Sequence, residues 1–162
     1  MGIIIKDIKF YDINIIKKIK LKKTDIEELL LLNSNTSIED IIKQSISQSI
    51  DCRIIEEKDT SNIIGVFGLG ISNENYGIPW LLTTDKIKNN WFNIAKYSKK
   101  IINEEYLKLG NNYLYNLISK KNQVNIKYLK FVGFDFQEYN KDILLFTMNK
   151  KIIIKKNNTK EI

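Results

Sequence analysis

Apolar residues recur with two different periods along this chain, and the changes of period divide it into helices and strands. A short apolar run at Ile3–Ile5 predicts an opening strand. Asp12 precedes apolar residues spaced by three, which predicts a helix capped by that side chain. Thr24 and Ser37 are each followed three residues later by an acidic residue, and these capping boxes predict the starts of two more helices.

The middle of the chain is rich in strand patterns. Cys52–Glu57, Ile63–Ile71 and Ile78–Thr83 read as three strands separated by short polar turns. Connections this short cannot cross over a sheet, so we expect an antiparallel meander. Asp85 then opens a long amphipathic helix, and Gly110 stands just past its end.

The last third of the chain predicts one more strand, one more helix and a closing hairpin. The strand is Tyr113–Ile118, and the helix is Val124–Val132. Gly133 follows the helix and is expected to have a positive φ as its C′ residue. The hairpin pairs Phe134–Tyr139 with Ile143–Asn149. Together the elements predict an α/β (α+β) fold with a mixed, mostly antiparallel sheet and helices on both faces.

Length and apolar content indicate one soluble domain. The chain has 162 residues, enough to bury a core of its own. We expect a folded domain at residues 1–149 and a lysine-rich C-terminal tail at residues 150–162. No apolar run approaches the roughly 20 residues of a membrane-spanning helix, so no membrane segment is predicted. Lys6 and Asp7 interrupt the apolar N-terminus, which argues against a signal peptide and for a cytosolic location.

The positive charge of the chain is carried almost entirely by lysine. The formal net charge is +7, and Arg53 is the only arginine. Sequence-reading nucleic-acid proteins favour arginine because its planar fork binds bases in two places. No stripe of alternating aromatic and basic residues stands out along the sequence. These features argue against specific nucleic-acid binding.

The chain has no histidine and one cysteine. This composition excludes a Ser-His-Asp or Cys-His pair, a histidine-ligated metal site and an intrachain disulfide. We therefore expect no metal. Cys52 precedes a strand-like run and is interpreted as a small buried hydrophobe.

Two segments resemble a known fold family. They are GIPWLLTTD at Gly77–Asp85 and the motif of spaced asparagines, helix and Gly-Phe at Asn116–Phe134. Both are similar to the second half of the acetyltransferase-type (GNAT) fold. More specifically, they resemble a bacteriophage family typified by an internal virion protein of short-tailed phages. The resemblance runs from Ile5 to about Phe146 and implies fourth and fifth strands that splay apart around an acyl-CoA cleft. Pro79, inside the predicted fourth strand, lacks an N–H and therefore suits either such a splayed position or an ordinary β-bulge.

The resemblance also suggests where a cofactor such as acetyl-CoA would lie. The candidate cofactor-binding residues are Trp80, Leu81, Leu82, Thr83, Thr84, Lys86, Asn116 and Asn122. The loop after the fourth strand has Thr83 where the family has glycine, and Asp85 is expected to cap the following helix in place of a phosphate. Leu129 occupies the position of the family's catalytic tyrosine, and neighbouring Tyr128 is interpreted as core between Val124 and Val132. No catalytic residue is assigned, and the acyl-CoA site is predicted to be degraded.

Two functions follow from the resemblance. The first is a virion-associated phage protein that acts in particle assembly or genome delivery. It would bind other virion proteins in the host cytoplasm during infection and in the virion. The alternative is an acetyl-CoA-dependent N-acetyltransferase. The sequence leaves the acceptor substrate and the oligomeric state open.

Overall fold

The structure, a computed structural model, describes residues 2–8 and 19–150. The helix predicted after Asp12 falls almost wholly outside these residues, as does the tail from residue 151. The strands are β1 Ile3–Asp7, β2 Ser49–Glu57, β3 Ile63–Ile71, β4 Gly77–Thr83, β5 Tyr113–Ser119, β6 Asp135–Glu138 and β7 Ile143–Asn149. The helices are α1 Lys23–Leu32, α2 Ile38–Gln48, α3 Ile87–Ile101 and α4 Gln123–Val132. A π-helical turn at Ile102–Tyr106 and a short helical segment at Leu107–Leu109 extend α3.

The seven strands form one sheet in the order β1-β2-β3-β4-β5-β7-β6. Strands β1 to β4 are antiparallel neighbours, as the short turns predict. Strands β4 and β5 are parallel and share a single paired position, Gly77 with Leu114. They diverge beyond this position, so the predicted mixed sheet with splayed fourth and fifth strands is confirmed.

Helices cover both faces of the sheet. On one face, α1 and α2 pack on β4 through a small core that includes Ile42 and Leu82. On the other face, α3 and α4 pack through a larger core that includes Ile94, Leu114 and Ile126. The layers follow from the sequence pattern, because β3 and β4 are apolar at nearly every position and need cover on both sides.

The capping predictions have different outcomes. Ser37 begins α2 as predicted, since its hydroxyl accepts a hydrogen bond from the Asp40 amide at 3.2 Å. The prediction for Thr24 was wrong, because α1 begins one residue earlier and Lys22, its N-cap residue, makes no side-chain cap bond. The prediction for Asp85 was also wrong. Helix α3 begins at Ile87 with no side-chain cap bond.

One of the glycines in β3 makes room for a tryptophan. Gly68 pairs with Trp80 on β4, and a Cβ at Gly68 would lie 2.8 Å from the indole ring. The indole N–H donates to Ser49 Oγ at 2.8 Å, which fixes the ring over this position. The glycine therefore serves side-chain packing within the sheet.

Gly133 has the left-handed conformation that the sequence predicts, with φ of 118°. We expect Gly133→Ala to destabilise the protein by about 1–2 kcal/mol, because a side chain at this φ strains the backbone. Gly70→Ala is the matched control, since a Cβ there meets no atom closer than 3.8 Å. Urea denaturation of both variants measures the difference, and equal midpoints would contradict this role of Gly133.

Candidate functional site

The splay of β4 and β5 opens a cleft in the middle of the sheet. At its narrow end, Asn116 donates a hydrogen bond from Nδ2 to the Pro79 carbonyl at 2.9 Å. Its Oδ1 accepts from the Leu117 amide at 2.8 Å. The Pro79 carbonyl thus points into the cleft and away from β3. Because N and O of a strand residue point to the same side, the missing N–H of Pro79 costs the β3–β4 ladder nothing. Asn116 faces the cleft as predicted.

A cavity of about 210 Å³ lies in this cleft between the two helical layers. Its walls are mainly apolar and come from both layers and the strands between them. The polar groups on the walls are Glu28, Asn33, Ser45, Ser98, Asn116 and Asn125, together with the tyrosines Tyr106 and Tyr128. A cavity of this kind suits a small, largely apolar ligand with a few hydrogen-bonding groups.

The wide end of the cleft is closed by charged side chains of the chain itself. Asp25 of α1 accepts hydrogen bonds at Oδ2 from the Thr83 amide at 2.8 Å and the Thr83 hydroxyl at 2.9 Å. Its Oδ1 accepts from Lys22 Nζ at 2.7 Å. The Lys22 amide in turn donates to the Thr83 carbonyl at 2.9 Å. Both backbone polar groups of Thr83 are therefore bound by the start of α1.

Two asparagines of the α4 segment complete this polar cluster. Asn122 and Asn125 donate to Asp25 Oδ1 at 3.0 and 3.2 Å, and Asn125 Oδ1 accepts from Lys22 at 3.0 Å. All four side chains belong to residues that are at most 5% exposed. We call Lys22, Asp25, Glu28, Asn122 and Asn125 the cleft plug. The hydrogen bonds satisfy both charges of this buried ion pair, so removal of either partner would leave an unpaired buried charge.

Glu28 closes the cleft from the β5 side. Its Oε2 accepts from the Ser119 amide at 2.9 Å and from Asn122 Nδ2 at 3.2 Å. Burial raises the pKa of this carboxyl from 4.5 to about 7, and the nearby Asp25 carboxylate also raises it. Near neutral pH, Glu28 is therefore divided between its charged and neutral forms.

The loop between β4 and α3 offers few free hydrogen-bond donors to a phosphate. Thr84 donates its amide to the Ile64 carbonyl at 2.8 Å, and its hydroxyl bonds to the same strand. Lys86 and Asp85 are exposed, and the Lys86 ammonium lies 3.7 Å from Glu57. The predicted candidates Thr83, Thr84 and Lys86 thus lie together, at the end of β4 and in the turn that follows it. The amides of the two threonines are already bonded within the protein.

The remaining β4 candidates form the walls of the cavity. Trp80 and Leu82 pack with α1 and α2, and Leu81 packs on the core under α3. Asn122, predicted at the start of the last helix, is its N-cap residue but makes no side-chain cap bond. Its side chain bonds to the plug instead.

Acyl-CoA does not fit the residues present in this conformation. A ligand lying between the strands needs the cleft-facing backbone groups of β4 and space at the wide end. Asp25 and Lys22 use the groups of Thr83, and the plug fills the space. No glycine in the loop lets a phosphate approach the backbone. In this conformation groups of the α1 segment occupy the wide end of the cleft, and Asp85 does not cap α3.

Tyr128 and Cys52 both have side chains whose pKa is raised by burial. Tyr128 is buried and bonded to Ser98, and burial raises its pKa to about 12. Burial likewise raises the pKa of the half-buried Cys52 thiol to about 12. The predicted core position of Tyr128 is confirmed. Of its two predicted partners, Val132 is buried but Val124 is 44% exposed.

Metal and membrane features were also sought in the described residues. Within residues 2–8 and 19–150, no group of three or more His, Cys, Asp or Glu side chains could hold a metal ion. Among the helices of the same residues, none has the length and apolar content needed to cross a membrane.

No protein-family model matches the sequence, and no curated protein is similar to it in sequence. Solved structures do match. Spermidine N-acetyltransferase from Vibrio cholerae, in complex with CoA and spermine, has a TM-score of 0.65 at 11% identity over 92% of this chain and 96% of its own. An acetyltransferase of the GNAT family from Bacillus anthracis has a TM-score of 0.65 at 9% identity over 92% and 95%. A Bacillus subtilis acetyltransferase in complex with CoA has a TM-score of 0.59 at 14% identity over 91% and 99%.

These likenesses show that the chain has the GNAT acetyltransferase fold. The fold inferred from the sequence motifs is therefore confirmed. None of the structures named here is a virion protein, so the narrower resemblance to a phage family finds no support among them.

Four residues of the plug were missed by sequence reasoning. Lys22, Asp25 and Glu28 recur at intervals of three along the start of α1, so they share one helix face. Asn125 lies three residues after Asn122 on α4, where the same rule applies. In the sequence these residues form a polar face on a helix that ends in four leucines. The same pattern is expected of a helix face exposed to solvent, so it does not by itself indicate a buried cluster.

The raised pKa of Glu28 predicts a dependence of stability on pH. The folded state binds a proton more tightly than the unfolded chain, so stability from this group falls as pH rises from about 4.5 to 7. Glu28→Gln keeps an oxygen for the Ser119 amide and removes the charge. We expect the variant to gain roughly 2 kcal/mol over the parent between pH 5 and pH 8.

Chemical denaturation at both pH values measures this gain. Glu27→Gln, next to it on the exposed side of α1, is the matched control and should show a difference below about 0.5 kcal/mol. A Glu28→Gln variant whose stability relative to the parent does not change with pH would contradict the raised pKa.

Proposed function

We propose that this protein uses the acetyltransferase fold for binding and does not transfer acyl groups from CoA. The observation that carries the proposal is the cleft plug, in which Asp25 and Lys22 occupy both backbone polar groups of Thr83. Strand β4 offers these groups at the wide end of the cleft. With them bound inside the protein, the cleft is part of the folded core.

The energetics support this proposal. Admission of a cofactor requires the plug to open, which separates Lys22 and Asp25 from partners at 2.7–3.2 Å. Opening exchanges these bonds for bonds to water, and a hydrogen bond to a charged group contributes about 1.5–3 kcal/mol net. A cost of about 1.5 kcal/mol already lowers the apparent affinity of any ligand that needs the open state by roughly 10-fold.

The setting that we propose for this binding role is the assembly or genome delivery of a bacteriophage particle. Its support is the resemblance of Gly77–Asp85 and Asn116–Phe134 to the internal-virion-protein family. The partners are then other virion proteins, and the protein acts in the host cytoplasm and in the particle. A virion protein needs the fold as a scaffold and has no need for an open cofactor cleft.

An acetyl-CoA-dependent N-acetyltransferase is the second candidate. Its support is the fold likeness to acetyltransferases that include two CoA complexes, together with the cavity of about 210 Å³ between β4 and β5. In such an enzyme α1 would have to move before the cofactor could enter. The fold comparisons favour this candidate, whereas the hydrogen bonds of the plug favour the first.

Calorimetric titration with acetyl-CoA separates the two candidates. We expect the parent protein to bind with a dissociation constant of about 1 mM or weaker, which corresponds to about 4 kcal/mol. Asp85→Gly and Thr83→Gly should not improve binding, because the cleft is closed by α1 and not by the loop.

A known CoA-binding acetyltransferase serves as the positive control in the same titration. Micromolar binding by the parent protein would overturn the proposal and place the N-acetyltransferase first. Acetylation of a polyamine or a protein amine by the parent would do the same.

The virion setting predicts that the protein is present in purified phage particles or is required for their assembly. Mass spectrometry of particles from the phage that encodes it tests presence, and a deletion tests the requirement. A protein that is absent from particles and whose deletion leaves infectivity unchanged would exclude this setting, while leaving the closed cleft untouched.

A further inference from the structure

Three aromatic side chains form an exposed cluster on the outer surface of α3 and α4. Trp91, Phe92 and Phe131 are 43%, 55% and 40% exposed. Their ring centroids lie 5.9–6.0 Å apart, so the rings touch one another in each pairing. Contiguous exposed rings of this kind mark an interaction surface more often than scattered single residues do. We call the three residues the aromatic cluster.

Lysines surround the aromatic cluster, and carboxylates are absent from both helices. Helices α3 and α4 together contain six lysines and no aspartate or glutamate. Lys99 Nζ lies 5.7 Å from the Phe131 ring centroid. Lys88, Lys96 and Lys127 stand three or four residues from a ring of the cluster, which places them beside it on the helix surface. This surface therefore combines apolar rings with a concentrated positive charge.

The charge excludes the two occupants that the chain itself could supply. A second copy pairing through the same face would bring lysines against lysines. Residues 9–18 carry three lysines and one aspartate, and residues 151–162 carry four lysines and one glutamate. Both segments are net positive, so neither complements this surface. A partner that complements this surface in charge is therefore anionic, and neither these segments nor the same face of a second copy supplies that charge.

Among anionic partners, the residue types and the ring geometry of this surface disfavour protein and nucleic acid. Protein interfaces are enriched in aromatic residues and arginine but depleted of lysine. Proteins that bind single-stranded nucleic acid offer ring faces on which successive bases stack. Here the interplanar angles are 86°, 86° and 57°, so the cluster has no parallel faces. The only arginine, Arg53, lies on β2 and is bonded to Asp51, Tyr97 and Glu105.

We propose that the outer surface of α3 and α4 binds an anionic lipid bilayer, with the aromatic cluster inserted among the headgroups. Tryptophan and phenylalanine favour this boundary, and lysines attract anionic lipid as flexible point charges without fixed geometry. The proposal goes beyond the proposed function, because it rests on the exposed side chains of α3 and α4 and not on the cleft plug.

Vesicle flotation of the full chain tests the proposal. The probes are vesicles of phosphatidylcholine with phosphatidylglycerol and vesicles of phosphatidylcholine alone. We expect the parent to bind the anionic vesicles at low salt, to release as salt is added, and to bind the neutral vesicles weakly. Trp91→Ser with Phe131→Ser should lower partitioning roughly tenfold. Lys88→Gln with Lys96→Gln should lower it about fivefold for each lysine removed.

The matched control is Leu30→Ser with Leu31→Ser, which removes two apolar side chains of similar exposure, 49% and 48%, from α1. This variant should bind like the parent. Thermal unfolding confirms that each variant is folded, and the lysine variant tests the surface even if the aromatic variant does not fold. Equal loss of binding in the control, equal binding to neutral vesicles, or no binding to anionic vesicles would overturn the proposal. So would binding of single-stranded DNA, without vesicle binding, that the same variants abolish.

Discussion

Two parallel strands that share one paired position leave backbone groups without partners wherever they diverge. Buried N–H and C=O groups must be bonded, so the divergence of β4 and β5 has to be filled by something. In this protein the fillers are side chains. Asn116 bonds to Pro79 at the narrow end, and Asp25 bonds to Thr83 at the wide end. The position of α1 and the shape of the cavity both depend on which side chains bond to these backbone groups.

Asp25 makes most of these hydrogen bonds. Its carboxylate accepts five hydrogen bonds, from Lys22, Thr83 (twice), Asn122 and Asn125. These partners belong to the α1 segment, β4 and the α4 segment, so one buried group joins three parts of the fold. Neutralisation by Lys22 makes the arrangement tolerable in a buried environment. The result is a buried junction that joins the start of α1 to β4 and to the α4 segment at the wide end of the cleft.

The two faces of the molecule differ in how their polar groups are arranged. Under α1 and α2, the polar groups at the wide end of the cleft are bonded within the protein. The face made by α3 and α4 exposes three aromatic rings and six lysines to the surroundings.

The sequence by itself determined the order of elements and the conformation of Gly133. Both follow from hydrophobic period, turn residues and backbone freedom, which depend on neighbours in the chain. The splay of β4 and β5 was expected from the resemblance to a known fold, and the structure confirms it. The roles of Thr24 and Asp85 at helix starts were predicted incorrectly, because packing of α1 and the β4–α3 turn shifted both helix starts. Only the tertiary structure brought Lys22 and Asp25 together with Asn122, Asn125 and Thr83, which are about 60 to 100 residues away. A sequence pattern cannot show which distant groups will bond to a buried charge, because these groups meet only when the helices pack on the sheet.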